Sequence, residues 1–338
     1  MDFNMSTSTH PWGVIMLRPI AFKAKHGGAR EEGLLDFSAS VNPYLPEWLD
    51  EMFERAKSLS GHYPYWERLE EELSVLIGKP ATVTAGITEA LYLLGPALGK
   101  KKIIIPKHTY EEYERVARIF GARVVKGPNE PEKLAAFVEK ESVVFFCNPN
   151  NPDGRFYRPK ELRPLIDAVE DKGALLVLDE AFIDFVKDAK SPEGENVIKL
   201  RTFTKSYGLP GIRVGYVLGF TEYFRSVRMP WSIGSLGLAF LEFVIKDGFE
   251  HLRKTMPLIW REKERLERAL NVKSDANFFI KDVGDAKETV ETLKRRGILV
   301  RDCTSFGLPR HVRFGVRKPE ENEKLIEAFR KLGLSQRF

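Results

Sequence analysis

Three short apolar runs in this 338-residue chain each end in residues able to do chemistry. Residues 143–147 lead into Asn148-Pro-Asn-Asn-Pro-Asp-Gly154, residues 175–178 into Asp179-Glu180, and the run ending at Phe203 into Thr204-Lys205. If these runs are strands of an open α/β sheet, their polar ends gather beyond the carboxyl edge, where such sheets bind ligands. An amide, a carboxylate and an amine then converge. The amine can form an imine with an aldehyde, the carboxylate can keep a pyridine nitrogen protonated, and the amide can donate to a ring oxygen. Pyridoxal phosphate requires that set, its protonated ring acting as an electron sink. Singly, each residue has an ordinary structural reading: a lone lysine is usually solvated, an aspartate at a strand end often caps a helix, and Asn-Pro-Asn-Asn-Pro is often a turn. Their joint order and spacing point to the functional one.

The elements that must position these residues show in the rhythm of residues 81–219, where short apolar runs alternate with amphipathic ones. Strands are expected at 102–105, 122–125, 142–147, 174–178, 197–203 and 213–218, with helices at 110–120, 131–140 and 160–171. That predicts an α/β domain with a mostly parallel central sheet. Beyond about Pro230 long charged helices take over, including 259–270, then mixed strands and helices. The expected organisation is an N-terminal arm with a substrate-contacting segment over 1–45, a large cofactor-binding domain over 46–230 and a smaller α+β domain over 231–338.

Composition sets bounds. Hydrophobic residues make up 43% and charged residues 30%, enough to build a large core, and no apolar run approaches the ~20 residues of a membrane span. A soluble, cytoplasmic protein is expected. The sequence pI of about 9.0 arises from 53 basic against 48 acidic residues, a surplus too small to favour nucleic-acid binding. Cys147 and Cys303 are far apart and belong to no Cys-x-x-Cys pair, so neither a disulfide framework nor a metal site is expected. No Gly-x-Gly-x-x-Gly follows a strand, which disfavours a dinucleotide oxidoreductase.

The run from Thr202 through Lys205 to Arg213 resembles the Schiff-base signature of the class I/II aminotransferase superfamily, in which an arginine follows the lysine by eight residues. The resemblance implies the aspartate-aminotransferase fold, PLP fold type I, with Lys205 binding the cofactor aldehyde and Arg213 and Thr202 holding its phosphate. A guanidinium fork suits phosphate oxygens bidentately. It further implies Asp179 as partner of the pyridinium nitrogen, Asn151 as donor to the ring oxygen, Tyr110 stacked on the ring, and backbone N–H groups of Gly86, Ile87 and Thr88 on the phosphate. Lys205, Asp179 and Tyr110 form the implied catalytic set, and His108 is read as structural. His62-Tyr63-Pro64 resembles the segment whose tyrosine reaches the neighbouring subunit's cofactor phosphate, so a homodimer with shared active sites is implied. Related DNA-binding regulators carry an added domain for which the first 40 residues leave no room.

Within the superfamily the chain resembles the threonine-phosphate decarboxylases of cobalamin synthesis, and next the histidinol-phosphate aminotransferases. His26-Gly27-Gly28, the stretch 35–43 with Asn42, Phe182 where most aminotransferases have Tyr, Met229-Pro-Trp231-Ser, and the stretch 300–308 followed by Arg313 carry the likeness. It implies substrate contacts from His26, Gly27, Asn42, Asn151, Arg301 and Arg313, the arginines meeting anionic groups. The expected reaction is decarboxylation of L-threonine O-3-phosphate to (R)-1-aminopropan-2-yl phosphate; the alternative is amino-group transfer to 2-oxoglutarate. The chain departs from the pattern at Asp153, where Thr is usual, at Ser40, where Asn is usual, and at Ala29. Asp153 is expected beside the cofactor, altering the local charge.

Overall fold

In the computed structural model, Phe22, Ala24, residues 27–29 and residues 31–334 are described. The strands are β1 (Leu35–Asp36), β2 (Ala81–Thr84), β3 (Lys102–Pro106), β4 (Arg123–Gly127), β5 (Val143–Cys147), β6 (Leu175–Asp179), β7 (Val197–Arg201), β8 (Gly215–Leu218), β9 (Phe278–Asp282), β10 (Ile298–Leu299), β11 (Arg301–Asp302) and β12 (His311–Gly315). A seven-stranded sheet runs β2-β8-β7-β6-β5-β3-β4, in which β8 alone runs against the direction of the other six. Its central strands are apolar on both faces because helices cover both: every residue of β5 is buried, as are all but the first of β3 and β6. On one face Leu91, Tyr113 and Val116 pack on Ile103, Phe145 and Val177; on the other Leu162, Leu165 and Ile166 pack on Ile104, Val144 and Leu176.

A second, antiparallel sheet, β11-β12-β9, packs Phe279, Val312 and Phe314 on the helices Glu250–Leu270 and Pro319–Lys331. β1 pairs in parallel with β10, and Phe37 joins this core, so residues 35–37 are built into the smaller body rather than lying across it as an arm. The expected boundary at 230 also moves. The helix Ser235–Asp247 buries Leu238, Phe240, Leu241 and Val244 against Met52, Leu69 and Tyr216, and therefore belongs with the large sheet.

All six expected strands form, with ends shifted by at most two residues. The helix expected over 131–140 stops at Ala135. There the backbone turns instead: Val138 N–H bonds Ala135 O, Lys102 Nζ takes the Phe137 carbonyl, and Ser142 Oγ accepts from Glu139 N–H. Among the described residues no helix is long and apolar enough to cross a membrane.

Candidate active site

β5, β6 and β7 run side by side with Cys147 opposite Asp179 and Asp179 opposite Leu200, so their carboxyl ends open on one edge. A cavity of about 290 Å³ lies there, bounded by both bodies of the molecule, and Asn151, Asp179, Lys205, Arg301 and Arg313 all line it. Asp179 is buried; its Oδ2 accepts from the Tyr113 phenol at 2.6 Å and its Oδ1 from Ala181 N–H at 2.9 Å. Burial raises its pKa, and the two donors and Lys205 offset part of that rise. Lys205 Nζ sits 4.9 Å from the centroid of the Phe182 ring. Burial and the nearby Arg313 and Arg213 lower its pKa to about 8 against the pull of Asp179. A usable fraction, roughly a tenth at neutral pH, is then the neutral amine that attacks a carbonyl.

The opposite end of the cavity is shaped by two close approaches of backbone. A Cβ at Gly86, where φ is +82°, would lie 2.5 Å from Arg213 Nη2. A Cβ on Gly215 would lie 2.9 Å from Ile87 N, so glycine at both positions lets the start of the helix Gly86–Leu93 press against β8 and the guanidinium. Ile87, Thr88 and Arg213 line the cavity, combining helix-start N–H groups with a cation, which suits a phosphate. Tyr110 lies between, its hydroxyl bonded to Thr88 and its ring edge-on to Tyr113 at 5.5 Å.

The small sheet supplies the remaining wall. Antiparallel register sets Arg301 opposite Arg313. Arg313 is buried over the Phe278 ring; its Nη1 donates to Asn151 Oδ1, its Nη2 to Ser38 O at 2.8 Å, and its Nε has no partner. Burial lowers its pKa to about 10. Arg301 packs over Phe306 and donates from Nη2 to Ser305 Oγ at 2.9 Å. Gly27 and Gly28 close the rim: a Cβ on Gly27 would stand 2.7 Å from Ser38 O, and Gly28 N–H donates to Ser38 Oγ at 2.8 Å.

Residues 32–329 match the family model described as aminotransferase class I and II. This chain belongs to the class I and II aminotransferase family. It is 32% identical to the histidinol-phosphate aminotransferase of Symbiobacterium thermophilum, over 89% of this chain and 92% of that one. It is 30% identical, over 87% and 89%, to a protein of Caldanaerobacter subterraneus subsp. tengcongensis named provisionally as a threonine-phosphate decarboxylase. The histidinol-phosphate aminotransferase of Sinorhizobium meliloti, solved in complex with pyridoxal-5'-phosphate, shares the fold with a TM-score of 0.78 at 23% identity, covering 87% of this chain and 89% of that one.

The family uses pyridoxal phosphate, and the cavity of this class I and II family member fits it. Its described lining carries four cations, Lys205, Arg213, Arg301 and Arg313, against the single carboxylate of Asp179, and the Gly86 turn leaves room for a phosphate beside Arg213. Of the residues expected in the site, Gly27, Ile87, Thr88, Tyr110, Asn151, Asp179, Thr202, Lys205, Arg213, Arg301 and Arg313 line this one cavity, and Gly86 backs it. His26 lies outside the described residues.

Three expectations change, those for Asn42, Thr202 and Asp153. Asn42 does not line the cavity: its Nδ2 donates to Ser206 O and Thr255 Oγ1 at 2.8 and 2.9 Å and its Oδ1 accepts from Tyr44 N–H, so its amide is spent on the fold. Thr202 Oγ1 donates to Val214 O at 2.6 Å, leaving its proton committed within the protein. Tyr63, expected to reach the neighbouring subunit's cofactor phosphate, is 69% exposed and stacked on Trp231 outside this chain's own cavity, which leaves that expectation as it stood. Asp153 does not line the cavity: its carboxylate accepts from Asn150 Nδ2 and Arg155 N–H, and its charge reaches the site only at a distance, through Cys147. Sequence reasoning missed Tyr113 and the cavity-lining Thr204 and Cys147. The signal for Tyr113 was its place three residues after Tyr110 within the helix expected over 110–120, although that helix begins only at Glu112.

Proposed function

We propose that this pyridoxal-phosphate-dependent enzyme acts on a small primary amine bearing a phosphate, and that a substrate of the reaction also carries a carboxylate. The paired arginines carry this reading: Arg301 and Arg313 face the same cavity from neighbouring strands, a two-cation wall opposite the Lys205 amine. In this reading Lys205 holds the cofactor covalently, Asp179 faces its ring nitrogen, Asn151 Nδ2 its ring oxygen, Tyr110 its ring face, and Arg213 with the N–H groups of residues 86–88 its phosphate. When bound, the cofactor supplies an electron sink for the bond that breaks at the substrate Cα. The rest is the work of side chains. Arg301 and Arg313 bind the anionic groups and orient the substrate, which decides whether C–H or C–CO₂⁻ is the bond aligned for cleavage. Lys205, as the free amine, would take up or deliver a proton at Nζ, a role suited to a pKa of about 8. Asn151 and Ser38, by accepting from Arg313, fix the guanidinium plane.

Two reactions suit this arrangement. Amino-group transfer of the histidinol-phosphate type draws the stronger support from relatives, through the match to the Symbiobacterium thermophilum enzyme over most of both chains. Decarboxylation of threonine phosphate is favoured by one local observation: Phe182 packs beneath Lys205, so this position presents no phenol to the cofactor's ring oxygen. The Gly27-Gly28 rim and the Caldanaerobacter relative agree with it. The holoenzyme should be given L-threonine O-3-phosphate alone, with carbon dioxide measured, and separately L-histidinol phosphate with 2-oxoglutarate, with glutamate measured. Carbon dioxide without acceptor establishes decarboxylation; glutamate formation that depends on acceptor establishes transfer. Inertness toward both, with full activity on unphosphorylated amino acids, would reject the phosphate-bearing substrate.

A homodimer belongs to the same proposal. The stacked pair Tyr63 and Trp231, with exposed Tyr65 and Met229, forms an apolar surface suited to a second copy. Light scattering that gives a mass near 38.6 kDa, that of one chain, would reject it.

A further inference from the structure

Tyr113 is absent from every role assigned above, yet it is one of the largest side chains with no solvent exposure. Its ring stacks face to face on Phe145, with centroids 5.3 Å apart and planes 4° apart, and meets Tyr110 edge-on at 86°. Three contacts thus fix the phenol: the Phe145 face, the Tyr110 edge and the 2.6 Å bond to Asp179 Oδ2. With Ala181 N–H on Oδ1, each carboxylate oxygen of Asp179 carries a donor, so the plane of the carboxylate is set before any ligand arrives.

We propose that Tyr113 is a positioning residue that fixes the carboxylate plane of Asp179 and tunes its basicity toward the cofactor's ring nitrogen, while its ring supports Tyr110 from behind. The inference rests on the assignment of Asp179 to the ring nitrogen. A phenol that donates to a carboxylate stabilises the anion. Burial raises the Tyr113 pKa, so the hydroxyl keeps its proton and remains a donor across the working range. Without that bond Asp179 becomes more basic, draws the shared proton away from the ring nitrogen, and leaves the ring a weaker electron acceptor. Phe145 and Tyr110 hold the ring so that its hydroxyl stays beside Asp179 Oδ2, with the Cys147 thiol, a much weaker acceptor than a carboxylate, as its other neighbour.

The experiment is a double-mutant cycle of Tyr113→Phe and Asp179→Asn, read by cofactor affinity, by the pH midpoint of the visible absorbance of the bound cofactor, and by turnover. Tyr113→Phe should fold, as circular dichroism will verify, bind cofactor about 5- to 10-fold more weakly, move the absorbance midpoint upward by half a pH unit or more, and lower kcat with little change in KM. In the Asp179→Asn background it should add nothing to the midpoint shift, because the interaction partner is already altered. Tyr113→His, which keeps a donor, should recover part of the midpoint. If Asp179→Asn leaves the midpoint in place, the assignment of Asp179 fails. If Asp179→Asn moves it and Tyr113→Phe does not, the positioning role of Tyr113 fails alone; a shift of equal size in both backgrounds likewise assigns Tyr113 to the fold and overturns the proposal.

Discussion

Asp179 and Glu180 are consecutive carboxylates at the end of one strand, both buried, and they lead opposite lives. Glu180 looks away from the cavity into a closed cluster, where Oε2 accepts from Arg201 Nε at 2.7 Å and Oε1 from Ser191 Oγ at 2.5 Å. The Arg201 pKa stays above its usual value despite burial because Glu180 lies beside it. Asp179 has only neutral donors bonded to it, and the nearest cation, Lys205, is held in a site that discourages its charge. One carboxylate is fully answered by the protein and the other is left with capacity to spare. Buried ionic groups destabilise the fold unless compensated, so the uncompensated side of the strand is where a ligand is expected to complete the electrostatics.

The contrast can be broken most sharply at Lys205. Lys205→Ala should reduce turnover by about 10⁴-fold or more, and borohydride should no longer fix cofactor to the chain; retention of turnover would place the chemistry elsewhere. Next comes the pair itself. Asp179→Asn should lower kcat by about 10²- to 10³-fold in a protein that folds normally. Glu180→Gln should do the reverse, costing about 4 kcal/mol of stability in denaturant titrations, as broken buried pairs do, with kcat per folded molecule unchanged. Equal kinetic losses in the two variants would erase the distinction.

The amine's acidity offers a test without mutation of its neighbours. Because its pKa in the fold, about 8, lies below the 10.5 of an ordinary lysine, the unfolded chain binds the extra proton between those values. Stability of the cofactor-free protein should therefore rise with pH from about 8 to about 10.5, this group contributing up to about 3 kcal/mol. Lys205→Met should flatten that rise. Over a lower range, cofactor uptake should accelerate about tenfold per pH unit up to about 8 as the neutral amine accumulates. The smallest effect belongs to the rim: Arg301→Gln should weaken kcat/KM by about 10- to 30-fold, chiefly through KM, and leave cofactor affinity intact.

The edge at which β5, β6 and β7 deliver their polar residues was legible in the sequence because strand ends are marked by the switch from apolar runs to polar residues, and ligands collect there. The two arginines on the small sheet were legible only through family resemblance. What pattern could not report was where each polar atom finds its partner. Asn42 and Asn151 read alike, yet Asn42 is consumed by Ser206 and Thr255, more than 160 residues away along the chain, while Asn151 meets Arg313 in the cavity. Asp153 lies in the same turn as Asn151, yet its carboxylate is taken by Asn150 Nδ2 and Arg155 N–H and does not line the cavity. The boundary near residue 230 failed for the same reason: the apolar face of the helix Ser235–Asp247 announces burial without saying against which sheet.

The segment beginning at β1 is tied at both ends. Leu35 and Asp36 are strands of the small body's pairing with β10, and seven residues beyond Leu35 the Asn42 N–H donates to Lys205 O at 2.9 Å, beside its side chain's grip on Ser206. Between these anchors Ser38 O receives Arg313. The wall that carries Arg313 and the loop that carries Lys205 are thus joined by a short tether, residues 35–42. A connection of so few residues limits how far guanidinium and amine could part if the two bodies were to move.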